Sequence, residues 1–171
     1  MTDSRRFPLL PRMIATTCGA GYWPWGPGTA GAVVGLLVWM PLTLIPSPLA
    51  VVLITCGLIV VFTVLGVWSA TVAERHWGPD PSRVVMDETV GQWITMLPLS
   101  VYAAGAGALA NGRLWLAAAI SLALFRFFDI VKPLGVRRME ALPSGYGVMA
   151  DDILAGIYGG VFMLIINTWL T

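Results

Sequence analysis

Long uncharged stretches alternate with short polar segments along the chain, and this alternation decides the predicted fold. A helix crosses a bilayer core with about 20 apolar residues, and the stretches approach that length. They predict membrane helices over five ranges, namely 30–45, 49–73, 89–110, 114–128 and 153–170. Pro46 and Pro48 separate the first two ranges, because proline does not continue a helix. The pattern therefore predicts an all-α, polytopic membrane bundle with about five transmembrane helices.

The chain is predicted to form one domain over residues 1–171, because no internal repeat, low-complexity tract or polar linker divides it. Two pairs of glycines are spaced four residues apart inside the predicted spans. They are Gly31 with Gly35 and Gly156 with Gly160. Small residues at this spacing let two membrane helices approach closely, so we interpret both pairs as packing positions.

Composition agrees with a lipid environment and excludes several classes of protein. Only 11% of the 171 residues are charged, whereas soluble domains have about 25%. The hydrophobic share is 57%, which is more than a soluble chain of this length can bury. The net charge of +1 excludes a nucleic-acid binder that relies on a basic surface. The expected partners are therefore the lipid bilayer and membrane lipids.

The distribution of basic residues predicts the orientation in the membrane. If the N-terminus is cytoplasmic, five spans place nine Lys and Arg residues inside and only Arg113 outside. Short cytoplasmic loops carry such an excess of basic residues. We therefore expect a multi-pass membrane protein with a cytoplasmic N-terminus.

Acidic residues gather at the predicted inner ends of three helices. Asp87 and Glu88 open the third span, Asp129 closes the fourth, and Asp151 and Asp152 open the fifth. A carboxylate near a helix N-terminus can be a favourable cap, so capping alone can account for either acidic pair. Asp129 lies at the opposite, electronegative end of its helix and requires a cation. That cation could be Arg126, Lys132 or a metal ion.

Five carboxylates at one depth of a small bundle would repel one another unless a positive charge lay between them. Mg²⁺ binds oxygen ligands and is usually held by carboxylates together with substrate phosphate. A phosphate-handling metal site would use Lys132 or Arg126 as the positive partner of the phosphate oxygens. Two alternatives stay open for the acidic residues. They could be helix caps with ion pairs, or the acidic cation site of a small transporter or channel.

A glycine-rich segment over residues 18–31 precedes the first predicted span and lies on the same side. Glycines let backbone amides approach an anion, and Thr29 could offer its hydroxyl at the N-terminus of the first helix. An interfacial or re-entrant hairpin anchored by Trp23 and Trp25 fits the segment equally well. The segment lacks the Gly-Lys-Ser/Thr ending of a P-loop.

The single histidine and the absence of one aspartate motif limit the possible chemistry. His76 is the only histidine, which excludes membrane phosphatases that use paired histidines. No Asp-x-Asp motif is present, which excludes the aspartyl-phosphate route of the haloacid dehalogenase type. What remains is metal-assisted attack by water or by one of the carboxylates.

Four segments of the chain read GPGTAG at 26–31, VVMDETVGQWIT at 84–95, FRFFDIVKPLGVRR at 125–138 and GYGVMADDILAG at 145–156. In sequence and order they closely resemble the phosphatidylglycerophosphatase A family. The resemblance implies a Mg²⁺-dependent phosphatase, integral to the cytoplasmic (inner) membrane of a bacterium, that converts phosphatidylglycerophosphate to phosphatidylglycerol and phosphate. The long pattern of the CDP-alcohol phosphotransferases, another membrane family with clustered aspartates, is absent.

The resemblance also assigns roles to residues of this chain. The motif positions are Thr29, Asp87, Glu88, Asp129, Lys132, Asp151 and Asp152. The five carboxylates are expected to be catalytic and to hold one or two Mg²⁺. Lys132 and Thr29, together with Arg126, are expected to bind the substrate phosphate. Because lipid-linked glycerol phosphates are made on the cytoplasmic leaflet, the active site is expected on the cytoplasmic face.

Overall fold

The computed structural model describes residues 7–101, 112–133, 135–139 and 141–170, with the side chains of 168–170 outside the description. Within these ranges the protein is entirely helical and contains no β-strand, which confirms the predicted all-α class. Arg5 and Arg6, used for the orientation, lie outside the described residues, as does the second half of the predicted third span.

Seven α-helices make up the described part of the chain. They are α1 Leu9–Ala15, α2 Pro27–Trp39, α3 Pro48–Trp77, α4 Met86–Met96, α5 Gly112–Val131, α6 Val136–Met139 and α7 Gly145–Leu170. Short 3₁₀ helices continue α2 over Met40–Leu44 and α4 over Leu97–Val101. Proline begins α2 and α3, where its missing N–H costs no hydrogen bond. Ser47 caps α3 by accepting a hydrogen bond from Ala50 N at 3.3 Å.

Four segments are long and apolar enough to cross a membrane. They are Pro27–Leu44, Pro48–Trp77, Gly112–Val131 and Gly145–Asn167. These segments correspond to the first, second, fourth and fifth predicted spans. The predicted third span begins as α4 and its 3₁₀ extension, then passes into residues 102–110, which lie outside the described part. The membrane character is therefore clear, while the number five and the cytoplasmic N-terminus stay predictions.

Helices α4 and α7 form the centre of the bundle, with α2 and α5 beside them and α3 packed on another side. Glycine permits the central contact, because a Cβ on Gly156 would lie only 3.0 Å from Gly91 Cα on α4. Thr95 Oγ1 also donates to the carbonyls of Gly91 and Gly156. On the α2 side, Trp93 Nε1 donates to Gly35 O at 2.8 Å. The predicted close packing at these glycines is confirmed.

Helix α7 begins earlier than predicted. Asp151 and Asp152 do not open this helix, because α7 begins at Gly145 and both carboxylates lie in its second turn. They therefore do not cap the helix N-terminus. A Cβ on Gly145 would overlap Val67 O, so the helix begins in direct contact with α3. Thr71 Oγ1 accepts a hydrogen bond from Gly145 N at 3.3 Å and helps to fix this start.

The N-terminal segment packs against the residues that lead into α4. Val85 N donates to Ala15 O at 2.8 Å, and Thr17 Oγ1 donates to Val85 O at 3.2 Å. Between α1 and α2 the chain turns through a short 3₁₀ helix, Ala20–Tyr22, with Gly19 and Gly26 at positive φ. This arrangement fixes the first turn of α4, which carries two of the predicted site residues.

Candidate active site

Two buried carboxylates and one half-buried carboxylate meet where α4 packs against α7. Asp87 and Glu88 lie in the first turn of α4, as predicted, and Asp152 lies in the second turn of α7. One oxygen from each carboxylate can be chosen so that all three lie within 4.8 Å of one another. Asp87 and Asp152 are only 8% and 3% exposed. We call these three residues the carboxylate cluster.

The carboxylate cluster leaves oxygens without partners. Asp87 Oδ1, Glu88 Oε2 and Asp152 Oδ2 are buried and have no hydrogen-bond partner among the described residues. Unpaired buried carboxylates are costly, since burial strips them of water and like charges repel. Burial and the neighbouring Glu88 carboxylate raise the pKa of Asp87 well above its usual value, and burial also raises the pKa of Glu88. The cluster is thus suited to a bound cation.

Asp129 occupies the last turn of α5 and pairs with a cation on its own helix. Arg126 Nη1 lies 2.8 Å from Asp129 Oδ2 and 3.9 Å from Glu88 Oε1. The guanidinium therefore joins the end of α5 to the carboxylate cluster. Asp129 lies at the electronegative end of its helix and requires a positive charge there. Arg126 supplies at least part of that charge.

Asp151 pairs with the residue that follows α5. Lys132 Nζ donates to Asp151 Oδ2 at 2.7 Å, while Asp151 Oδ1 is buried without a hydrogen-bond partner among the described residues. Lys132 has a φ of 48°, an uncommon backbone conformation for a residue with a side chain. Pro133 follows and prevents α5 from continuing. The turn places the ammonium group against α7 beside the carboxylate cluster.

The N-terminus of α2 completes one wall of the site. Gly28 is buried there, and a Cβ at this position would overlap Glu88 Oε1 and lie 2.9 Å from Arg126 Nη1. Thr29, the next residue, is exposed, and its hydroxyl makes no hydrogen bond to the described residues. The structure therefore brings the glycine-rich segment to the site through Gly28, and leaves the predicted role of the Thr29 hydroxyl untested.

The structure divides the five predicted carboxylates into two groups. Three form the carboxylate cluster, in which Glu88 lies 3.9 Å from Arg126, whereas Asp129 and Asp151 each have a closer cationic partner, at 2.8 Å and 2.7 Å. The predicted phosphate-binding cations Arg126 and Lys132 both lie beside the cluster. Their placement agrees with the predicted site, but their roles and those of the carboxylates stay predictions.

Two buried residues, one at the site and one a helical turn away from it, were not predicted as site residues. Gly28 was missed because its importance depends on a contact between helices, although it belongs to the GPGTAG segment. Gln92 lies one turn beyond Glu88, is fully buried, and donates through Nε2 to Ser121 Oγ at 3.0 Å. A glutamine inside an apolar span was an available signal, since buried amides require partners.

Comparison with known proteins decides the family. The sequence model of the family described as Phosphatidylglycerophosphatase A matches residues 13–167. The chain belongs to this family. The resemblance noted in the sequence is thereby confirmed, and so is the assignment as an enzyme, because the family is one of phosphatases. No solved structure matches the chain.

Individual relatives cover nearly the whole chain. A Bacteroides thetaiotaomicron protein with the provisional name phosphatidylinositol-3-phosphatase is 43% identical over 161 residues, covering 94% of this chain and 96% of the relative. Phosphatidylglycerophosphatase A of Escherichia coli K12 is 29% identical, covering 92% and 84%. Phosphatidylglycerophosphatase A of Haemophilus influenzae is 30% identical, covering 92% and 89%.

Proposed function

We propose that this phosphatidylglycerophosphatase A family member is a Mg²⁺-dependent lipid phosphatase. It hydrolyses phosphatidylglycerophosphate to phosphatidylglycerol and phosphate, on the cytoplasmic face of a bacterial inner membrane. The observation that carries the proposal is the carboxylate cluster, which lies beside Arg126 and Lys132 and in which three buried oxygens have no partner within the described part of the chain. The names of the relatives in Escherichia coli and Haemophilus influenzae support the choice of substrate.

The donor set of the cluster fits Mg²⁺, because it consists of carboxylate oxygens without histidine or cysteine. Asp87, Glu88 and Asp152 would hold the ion, and their unpartnered oxygens would then have a ligand. When bound, the ion supplies a Lewis acid that polarises phosphoryl oxygen and lowers the pKa of water. Asp129 and Asp151 would complete the acidic site from their ion-paired positions.

The cations of the chain bind and orient the substrate phosphate. Arg126 offers a planar guanidinium and Lys132 a compact ammonium group, and both form strong charge-assisted bonds with phosphate oxygens. Thr29 and the N-terminal amides of α2 would close the site from the opposite wall. The acyl chains stay in the bilayer, so only the headgroup needs to leave the lipid plane.

The distribution of charge supports the proposed sidedness. Nine of the ten Lys and Arg residues fall on the side predicted to be cytoplasmic, together with all five site carboxylates. A lipid phosphate made on that leaflet reaches the site without crossing the membrane. This supports an inner-membrane location.

One relative gives reason to test a second substrate class. The Bacteroides thetaiotaomicron protein, at 43% identity, carries a name that assigns it a phosphatidylinositol 3-phosphate substrate. Both lipids present a phosphate monoester on a headgroup, so the same cations and carboxylates could act on either. We retain phosphatidylinositol 3-phosphate as the alternative substrate of the same site.

The test measures phosphate released by the purified protein from each lipid in mixed micelles, with Mg²⁺ or with EDTA. We expect Mg²⁺-dependent release from phosphatidylglycerophosphate, lost in Asp152→Asn and retained in the matched control Asp80→Asn. Asp80 is an exposed acid outside the site with a φ of 46°, a conformation that asparagine tolerates. Full activity of Asp152→Asn would refute the role of the cluster. If phosphate is released preferentially from phosphatidylinositol 3-phosphate, that lipid is the substrate instead. Ion flux in proteoliposomes without any phosphate release would favour a transporter.

A further inference from the structure

A groove of about 680 Å³ lies between α3 and α7, and the catalytic proposal does not use it. Along α3 it extends from Thr63 to Arg75, which corresponds to about 18 Å of helix. Tyr146, Met149 and Ile153 line it from α7. Its volume falls within the range of small-molecule sites, about 300–1,000 Å³.

The groove has an apolar body and one cationic end. Val64, Trp68 and Tyr146 line the body and are 65%, 43% and 60% exposed. Arg75 lies near the C-terminal end of α3 and is exposed, and no described carboxylate lies within ion-pair distance of it. Since α3 is a candidate membrane span, the apolar body faces lipid and the guanidinium lies toward one end of that span. This polarity matches a lipid chain with an anionic headgroup.

The groove and the carboxylate cluster lie on different faces of α7. Met149 lines the groove and packs at Gly66 of α3, where a Cβ would lie 2.7 Å from Met149 Cε. Asp152 faces α4, where it meets Asp87 and Glu88. The cations beside the cluster come from α5 and the turn after it, not from α3. A headgroup at Arg75 would therefore be separate from the phosphate in the active site.

We propose that the α3–α7 groove binds an anionic diacyl phospholipid of the surrounding bilayer as a second lipid, separate from the substrate. One acyl chain lies along Val64 and Trp68, and the phosphate meets Arg75. Trp68 contacts the chain, and Tyr146 covers it near the headgroup, as aromatic residues do at membrane interfaces. The proposal concerns binding alone, so it does not depend on which lipid the enzyme hydrolyses.

Trp68 provides the measurement. Phosphatidylglycerol with brominated acyl chains quenches the fluorescence of a tryptophan that it contacts. Each protein is compared with the same protein carrying Trp68→Phe. The difference between the two fluorescence signals is the contribution of Trp68 alone. We expect brominated phosphatidylglycerol to quench Trp68 fluorescence at about fivefold lower concentrations than brominated phosphatidylcholine does. The reason is that one basic residue raises the affinity for an anionic headgroup by about fivefold. Arg75→Gln should remove this preference.

The matched control is Arg137→Gln, which removes an equal charge from an exposed arginine on α6 outside the groove. It should keep the preference. Val64→Phe, which narrows the apolar body, should weaken quenching by both lipids. If Arg75→Gln and Arg137→Gln weaken the preference for phosphatidylglycerol equally, the preference arises from the overall charge of the protein and not from the groove. That result would overturn the proposal. Displacement of the brominated lipid by phosphatidylglycerophosphate, with Asp152→Asn abolishing the displacement, would identify the occupant as the substrate and overturn the second-lipid assignment.

Discussion

Replacing Gly28 by alanine should damage the active site while leaving the fold intact. The added Cβ would overlap Glu88 Oε1 and lie 2.9 Å from Arg126 Nη1, inside the 3.4 Å at which ordinary contact begins. Its three nearest neighbours are all side-chain atoms of Glu88 and Arg126, so their movement can relieve the overlap without a shift of the α4 backbone. Glu88 and Arg126 must instead turn away from their observed positions.

The magnitude follows from the required movement. Relieving the overlap displaces the Glu88 carboxylate by about an ångström, and a misplacement of that size can cost about 100-fold in rate. We therefore expect kcat to fall about 100-fold with little change in Tm.

The assay compares Mg²⁺-dependent phosphate release and thermal unfolding of Gly28→Ala with those of Gly57→Ala. Gly57 lies inside α3, and a Cβ there would meet nothing within 4 Å. The control should keep full activity. Wild-type activity of Gly28→Ala, or equal losses in both variants, would refute the reasoning. A large fall in Tm of Gly28→Ala alone would show that the overlap cannot be relieved by side chains.

Three further predictions concern the charged and polar groups. Lys132→Met should abolish activity and lower Tm, because it leaves the buried Asp151 carboxylate unpaired, and adding Asp151→Asn should restore Tm but not activity. Asp152→Asn should raise Tm in EDTA by removing a buried like charge, yet abolish Mg²⁺-dependent phosphate release; a lower Tm would contradict the repulsion argument. Thr29→Val should raise KM about tenfold, whereas Thr29→Ser should not, if the hydroxyl binds phosphate; equal KM values for both would remove Thr29 from the site.

The elements that sequence predicts well are those set by local chemistry. Pro46 and Pro48 separate the first two apolar helices as expected, because proline is excluded from a helix interior. Pro48 itself begins α3, since proline suits the first turn. Asp87 and Glu88 fall in the first turn of α4, where the helix dipole favours acids. The spacing of glycines also predicts close packing, since only a missing side chain permits it.

The elements that sequence predicts poorly depend on tertiary contacts. The predicted fifth span begins after Asp152 because a charge normally ends an apolar run, whereas α7 starts at Gly145, where it packs on α3. The carboxylates of Asp151 and Asp152 can lie inside α7 because they are buried against neighbouring protein on α4 and α5. The division of the five acids into a cluster and two ion pairs likewise depends on side-chain directions that no spacing rule contains.

The ion pair between Lys132 and Asp151 has a consequence for turnover. Because Nζ and Oδ2 are only 2.7 Å apart, a substrate phosphate that binds Lys132 as proposed would have to compete with a carboxylate that is already in place. On the same proposal, this carboxylate would pair with the ammonium group again after the phosphoryl bond is broken, and inorganic phosphate would be displaced. Asp151 would thus act as a built-in competitor that limits product inhibition, while making substrate binding weaker.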